Sequence, residues 1–442
     1  MSFMNRRDLL KAGLALGFTG LLDGHAYSWS DDQKTSDKLN LAFIGVGGRG
    51  DGNLNGLRSE NVYALCDIDG RNLEGAAKNF PKAKLYRDFR KLLETEKNID
   101  AVVVSTPDHT HAPASVMAMR MGKHVYCEKP LTHSIYEARI MREVAKQNKL
   151  ITSMGNQGTA SPGFRTAVEV LQSKAIGDVT EIHVWTNRPD RYWKQGFDRP
   201  KDSPPCPEHV EWDLWLGPAP HRPYHSMYHP FAWRGWCDFG TGALGDMACH
   251  TANLACMACR LTQPQKVTAE TAPFNGESYP IWSRITYQFP ARGDLPPVQL
   301  IWYDGMKDGK RHLPPQELVP GFKLADSGSL FIGTKGKLFS PDDYGASFKL
   351  LPEADFKDFQ LPSPILARSP GHHKEWLQGI RENKQPLANF EYASQLTEFV
   401  LLGNVAVRLQ KEVEWDANAM KVTNHPEAAT LIQRAYRSGW SL

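Results

Sequence analysis

The sequence predicts a two-domain α/β protein, with a doubly wound parallel-sheet domain first and then an α+β domain built on a large, mostly antiparallel sheet. Three observations carry this. Between residues 41 and 154, short runs that are apolar throughout alternate with helix-length amphipathic stretches. A glycine-rich turn, "IGVGGRGDG", follows the first of those runs directly. Beyond residue 158, strand-like runs succeed one another without regular helices between them.

In chain order, "LNLAFIGVG", "NVYALCDID", "IDAVVVSTP", "HVYCEKP" and "LITSMGN" read as strands buried on both faces, as a covered parallel sheet requires. The intervening helices are "DGRNLEGAAKNF", "DFRKLLETE", "APASVMAMRMG" and "SIYEARIMREVAKQNK". One more helix, "GFRTAVEVLQSKAIG", precedes the strands "VTEIHVWTNRP", "SRITYQFP", "VQLIWYDG" and "GSLFIGTKGKLFS". Two helices, "HHKEWLQGIRENK" and "ASQLTEFVLLGNVAVRLQ", close the chain. The predicted division is 1–38 for an export signal and linker, 39–157 for the first domain and 158–442 for the second, with an aromatic-rich insertion near 190–240.

With 442 residues, a net charge of +3 and 23% charged residues, the chain carries no basic field of the kind that duplex DNA or anionic lipid demands. Nucleic acid is therefore not an expected partner. Arg6 and Arg7 precede an apolar stretch shorter than the ~20 residues a spanning helix needs, which reads as a cleavable export signal of twin-arginine type rather than a stable membrane insertion. A periplasmic or otherwise exported protein is expected. Seven cysteines, an odd number, argue against a full disulfide framework, and Cys256 and Cys259 read as small core residues. No metal is expected, since His109 and His111 lack a third ligand nearby.

Gly45, Gly47 and Gly50 stand in GxGxxG spacing after a strand, so the backbone can turn tightly against a pyrophosphate near a helix N-terminus. Asp67 ends the second strand, where a carboxylate accepts from the adenosine ribose and disfavours a 2′-phosphate. The first domain is thus a Rossmann domain binding NAD, with NADP left open by Arg71. Strand ends gather ligands in such sheets, which puts Thr106, Pro107 and His111 of "STPDHTH" beside the cofactor.

With GxGxxG, "TPDHTH", "EKP" and the Asp and His of "GTGALGDMACHTA" in that order, the chain from residue 39 onward resembles the Gfo/Idh/MocA family, named for glucose-fructose oxidoreductase and inositol dehydrogenase. The resemblance implies an NAD(P)-dependent oxidoreductase of CH–OH groups and a homo-oligomer. It makes Lys129 the group at the reacting hydroxyl, Glu128 a brace that touches the cofactor, and adds Arg49 and Asn156 to the cofactor site. It also makes Asp246 and His250, on one face of a helix over 243–257, a pair in which the carboxylate orients and charges a general-base imidazole. Tyr192, Trp193, His229, Arg234 and Trp236 supply rings and polar groups that suit a carbohydrate substrate.

The leading reading is an exported dehydrogenase of a sugar, glycoside or cyclitol that carries a tightly bound cofactor. Two rivals stand beside it: a redox-neutral, NAD-dependent glycosidase working by transient oxidation and elimination, and a noncatalytic sugar- or cofactor-binding protein.

Overall fold

The computed structural model describes residues 38–442, and the expected export signal at Arg6 and Arg7 lies outside them. The first sheet has six strands, β1 (Asn40–Ile44), β2 (Asn61–Cys66), β3 (Lys84–Tyr86), β4 (Ala101–Val104), β5 (His124–Cys127) and β6 (Thr152–Met154). They run parallel in the order β3-β2-β1-β4-β5-β6, so the order reverses at β1 and opens a crevice at its carboxyl end. Leu41 to Phe43 and Ala101 to Val104 are fully buried, as strands covered on both faces must be. The short edge strand β3 has too few residues to show a period and goes unread in the sequence.

The second sheet has ten strands. It begins with β7 (Val179–Trp185) and includes β8 (Lys266–Thr271), β9 (Trp282–Phe289) and β10 (Val298–Lys307). Its pairings are antiparallel except for that between β7 and β10. The predicted run "GSLFIGTKGKLFS" is a hairpin of two strands, Gly328–Gly333 and Lys337–Ser340.

Three local departures have physical causes. The segment after the glycine turn, weakened by Gly52 and Gly56, nevertheless forms helix α1 (Arg49–Gly56), because Asn53 and Leu54 are buried beneath it and packing outweighs propensity. The helix expected from Ala112 starts earlier, at Asp108, and contains Pro113. A proline there removes the hydrogen bond to the carbonyl four residues back, and that carbonyl, on His109, accepts instead from Arg434 Nη2 at 2.6 Å. The predicted helix 243–257 is two helices, Gly242–Thr251 and Asn253–Cys259, meeting at Ala252.

The chain ends tie the two halves together. Helix His372–Glu382 lays Trp376 and Leu377 on the same apolar cluster as Leu41, Phe43 and Tyr126 of the first sheet. Helix Phe390–Leu409 packs on both Ile135–Gln147 and Gly242–Thr251. Cys256 and Cys259 are buried, and among the described residues no helix is long and apolar enough to cross a membrane.

Candidate functional site

A cleft of ≈650 Å³ runs along the carboxyl ends of the first sheet and under the insertion. At its centre is the glycine turn. Gly45 has φ of 84°, and a Cβ on Gly50 would stand 2.1 Å from the Gly45 carbonyl oxygen, so the turn closes only without side chains. Among the described residues no side chain caps helix α1 at Arg49, so its N-terminus is open to an anion apart from the Gly50 N–H, which donates to the Gly47 carbonyl at 2.9 Å. Thr106 Oγ1 is buried at the cleft wall without a hydrogen-bond partner among the described residues. An open helix terminus, a side-chain-free turn and an orphaned hydroxyl fit the pyrophosphate and ribose of a dinucleotide.

Asp67 lines this part of the cleft, but its carboxylate mainly braces the turn. Oδ2 accepts from the Val46 and Gly47 N–H groups at 2.9 and 3.3 Å, and Oδ1 from the Asp69 N–H at 2.8 Å. Burial pushes its pKa up, against the pull of those three N–H groups. A carboxylate has about four acceptor positions, so roughly one remains for a sugar hydroxyl. Arg71, which left NADP open, is exposed and does not line the cleft; Arg87 does, and its Nη2 donates to the Ile68 and His209 carbonyls.

Glu128, Lys129 and Pro130 end β5 where the two domains meet. Glu128 is buried and accepts from Arg49 Nε and Asn53 Nδ2, each at 2.9 Å, tying helix α1 to the strand end. Lys129 Nζ donates to Asp246 Oδ1 at 2.8 Å and to the Asp246 carbonyl at 3.0 Å. Arg234 Nε adds a second hydrogen bond to Asp246 Oδ1, at 3.3 Å. Burial opposes the Asp246 charge, yet Lys129 and Arg234 outweigh it and hold the carboxyl at about 2.

His250 lines the same end of the cleft, one helical turn beyond Asp246. The expected pairing between them does not form: among the described residues Lys129 and Arg234 donate to Asp246 Oδ1, and no hydrogen bond joins Asp246 to His250. The imidazole is oriented by Asn156 instead, with His250 Nδ1 3.0 Å from Asn156 Oδ1. Asn156 Nδ2 donates to the Cys249 carbonyl at 2.6 Å, which fixes which way that amide faces. Nδ1 must then donate, and Nε2 keeps a lone pair with no hydrogen bond among the described residues. Burial, followed by the neighbouring Lys129 charge, holds the imidazole well below its ordinary 6.5, so it is neutral rather than charged as the sequence suggested.

Of the predicted cofactor residues, Gly45, Gly47, Arg49, Asp67, Thr106, Pro107, Glu128 and Lys129 line the cleft. Gly50 lies behind the turn as its packing partner, and Asn156 stands behind His250. His111 is buried away from the cleft, with its ring nitrogens each 2.8 Å from the Pro130 and Thr106 carbonyls, where it clamps two strand-end loops together.

Among the predicted substrate residues, Arg234 and His229 line the cleft. His229 sits beside Trp215, at 5.9 Å between rings, in the field of Asp69, and so belongs to the glycine-turn side. Trp193 and Trp236 are buried, and Trp236 donates to the Met227 carbonyl as part of an aromatic core; Tyr192 lies outside, stacked on Arg188. The cleft wall around His250 comes from Gln157, Arg188, Phe231, Trp233 and Tyr344, which the sequence did not single out. Phe231 and Trp233 lay in a segment already marked as aromatic, between the chosen His229 and Arg234. Tyr344 sits in a loop without periodicity, folded around Asp342, whose carboxylate accepts from the Tyr344, Ala346 and Ser347 N–H groups.

Two family descriptions match the chain: "Oxidoreductase family, NAD-binding Rossmann fold" over residues 39–156, and "Oxidoreductase family, C-terminal alpha/beta domain" over 179–295. An inositol 2-dehydrogenase of Rubrobacter xylanophilus is 30% identical over 166 residues, which are 35% of this chain and 46% of that one. The chain spans less than half the length of the curated relatives it matches. Among solved structures, the WlbA dehydrogenase of Bordetella pertussis, determined with NADH and UDP-GlcNAcA, superposes with a TM-score of 0.61 at 14% identity, covering 86% of this chain and 99% of that one. The aldose-aldose oxidoreductase of Caulobacter crescentus, with glycerol, gives a TM-score of 0.55 at 16% identity over 86% of this chain and 100% of that one.

Proposed function

Because the chain belongs to the Gfo/Idh/MocA family of NAD-dependent oxidoreductases, we propose that it is an exported dehydrogenase acting on a secondary hydroxyl of a sugar, glycoside or cyclitol. The observation that carries this reading is the meeting of Lys129, Asp246 and His250 at one end of a cleft whose middle is the glycine turn.

NAD, when bound, supplies the acceptor for the hydride that leaves the substrate carbon. Gly45, Gly47 and the start of helix α1 hold its pyrophosphate, and Asp67 and Thr106 are placed for its sugars. His250 Nε2, with its lone pair directed by the Asn156 contact on Nδ1, takes the hydroxyl proton. The Lys129 ammonium stabilises negative charge growing on that oxygen as the C–H bond breaks. Asp246 positions the ammonium through two hydrogen bonds and keeps it from drifting toward the glycine turn. Carbon loses hydride, oxygen loses a proton, and a carbonyl remains.

Support for the substrate class is the cleft wall near His250. Phe231 and Trp233 offer flat apolar rings, while Arg188, Arg234, Gln157 and Tyr344 offer donors and acceptors. The rings suit the C–H face of a pyranose or cyclitol and the polar groups suit its hydroxyls. The inositol and aldose activities named for its relatives belong to the same chemistry.

Arg6 and Arg7 support periplasmic export through a twin-arginine route, which moves folded protein and so delivers a tightly bound nucleotide with it. A homo-oligomer belongs to the same reading, and sedimentation velocity measures it. To test the function, the full chain is purified without added nucleotide, its retained dinucleotide is identified by mass, and sugars, glycosides and cyclitols are screened for a change in nicotinamide absorbance. Reduction by one of these classes is expected. No response from any of them would remove the dehydrogenase reading, and aglycone release without net absorbance change would replace it with the redox-neutral glycosidase.

A further inference from the structure

Past Asp67, away from Lys129, the cleft has a second end, whose apolar side chains stand beside Asn72, Arg87 and Asp88. Ile68, Phe89, Leu214 and Trp440 line it. They come from four separate stretches: the loop after β2, the start of helix Phe89–Thr95, the aromatic insertion and the last residues of the chain.

The final segment is fastened on both sides of this end. Arg434 Nε and the Tyr436 hydroxyl donate to Glu137 Oε1 at 2.7 and 2.6 Å. Arg437 N donates to the Pro218 carbonyl at 3.0 Å, and its guanidinium pairs with Asp213 and donates to the Asp213 carbonyl at 2.9 Å. Trp440 is thereby carried to the cleft wall and left half-buried. The Arg90 guanidinium lies 4.4 Å from its ring centroid and is itself fixed by Asp88 at 2.7 Å. Phe89 meets the indole at 5.9 Å with a tilt of 51°.

A dinucleotide has a fixed order of parts. Its nicotinamide belongs with Lys129 and His250, its pyrophosphate with the glycine turn and its adenosine ribose with Asp67. The base that follows must enter this second end, where one indole is already held by a cation on one side. We infer that Trp440, from the carboxyl-terminal tail, is the platform on which the adenine ring stacks, and that the tail is part of the cofactor site. Base–aromatic stacking tolerates any purine and is strong enough to be read in affinity. This rests on the dinucleotide reading of the cleft, and the test separates the two.

The full chain, freed of nucleotide, is titrated by calorimetry with NAD and with nicotinamide mononucleotide, which lacks the adenosine, in wild type, Trp440→Ala and Trp440→Phe. Trp440→Ala is expected to weaken NAD about tenfold and leave the mononucleotide unchanged, with Trp440→Phe near wild type. Equal NAD affinity in wild type and Trp440→Ala overturns the inference while the cleft reading stands. Equal weakening of both ligands in Trp440→Ala overturns it as well, since the tail would then only support the fold. A wild type that binds neither ligand overturns the cleft reading and the inference with it.

Discussion

Lys129 Nζ lies 2.8 Å from Asp246 Oδ1 and 3.0 Å from the Asp246 carbonyl, so one residue of the second domain grips the lysine of the first through both side chain and backbone. The cleft's reactive end exists only while the domains are docked. Replacing Asp246 with Asn keeps the shape but removes the charge that faces Lys129 and Arg234. A fall in kcat of roughly 10²-fold is expected, with NAD affinity held, and Lys129→Met should fall at least as far. Stopped-flow turnover beside calorimetry checks both.

The second expectation concerns acid. A base must be unprotonated to accept the hydroxyl proton, and His250 is held well below its ordinary 6.5 by burial and then by the neighbouring Lys129 charge. The kcat/KM profile should therefore rise with pH to a plateau whose midpoint lies below 6.5, and His250→Gln should abolish that limb. The same shift bears on stability with a definite sign. Unfolded, the imidazole takes up a proton near 6.5 while the folded one stays neutral, so its stabilising share is present above that pH and is lost as pH falls.

Asn156 offers a finer test of the same site. Truncation to Ala frees His250 Nδ1 from its Asn156 partner and removes the constraint on which nitrogen carries the proton. Turnover should drop about tenfold or more while the NAD dissociation constant stays near wild type. An Asn156→Ala protein with lost NAD affinity and full turnover would return this residue to the cofactor site.

Two aromatic residues five positions apart should behave oppositely. Trp236 is 1% exposed within the aromatic core, and its removal should cost about 3–5 kcal/mol of stability by chemical denaturation. Phe231 is 48% exposed at the cleft mouth, so Phe231→Ala should change stability by about 0.5 kcal/mol or less and raise KM instead.

Gly50→Ala tests the turn. The new Cβ would stand 2.1 Å from the Gly45 carbonyl oxygen, and backbone on both sides has nowhere to go. A loss of about 1–3 kcal/mol is expected, together with loss of dinucleotide binding. Thermal melts and calorimetry read the two effects separately.

The sequence disclosed what repeats or what only one residue type can do. Strands buried on both faces and the side-chain-free turn at Gly45 were legible because each is a local constraint. Partners chosen by three-dimensional competition were not. Asp246 and His250 do share a helix, but spacing along a helix says nothing of Lys129 and Arg234 arriving from elsewhere to take the carboxylate. Likewise His111 looked like a cofactor neighbour because it follows a strand end, and the fold turned it inward onto two carbonyls. Tyr344 and Trp440 reach the cleft from irregular segments, where no periodicity marks which side chain faces it.

Trp376 and Leu377 roof the face of the first sheet that carries Phe43 and Tyr126, and Glu375 beside them is the counter-charge for buried Arg165 at 2.6 Å. The nucleotide-binding half thus stays unfinished until residues 375–377 have left the ribosome and docked. A product terminated before residue 372 presents an oily sheet face and a stranded guanidinium, both of which proteases and chaperones detect.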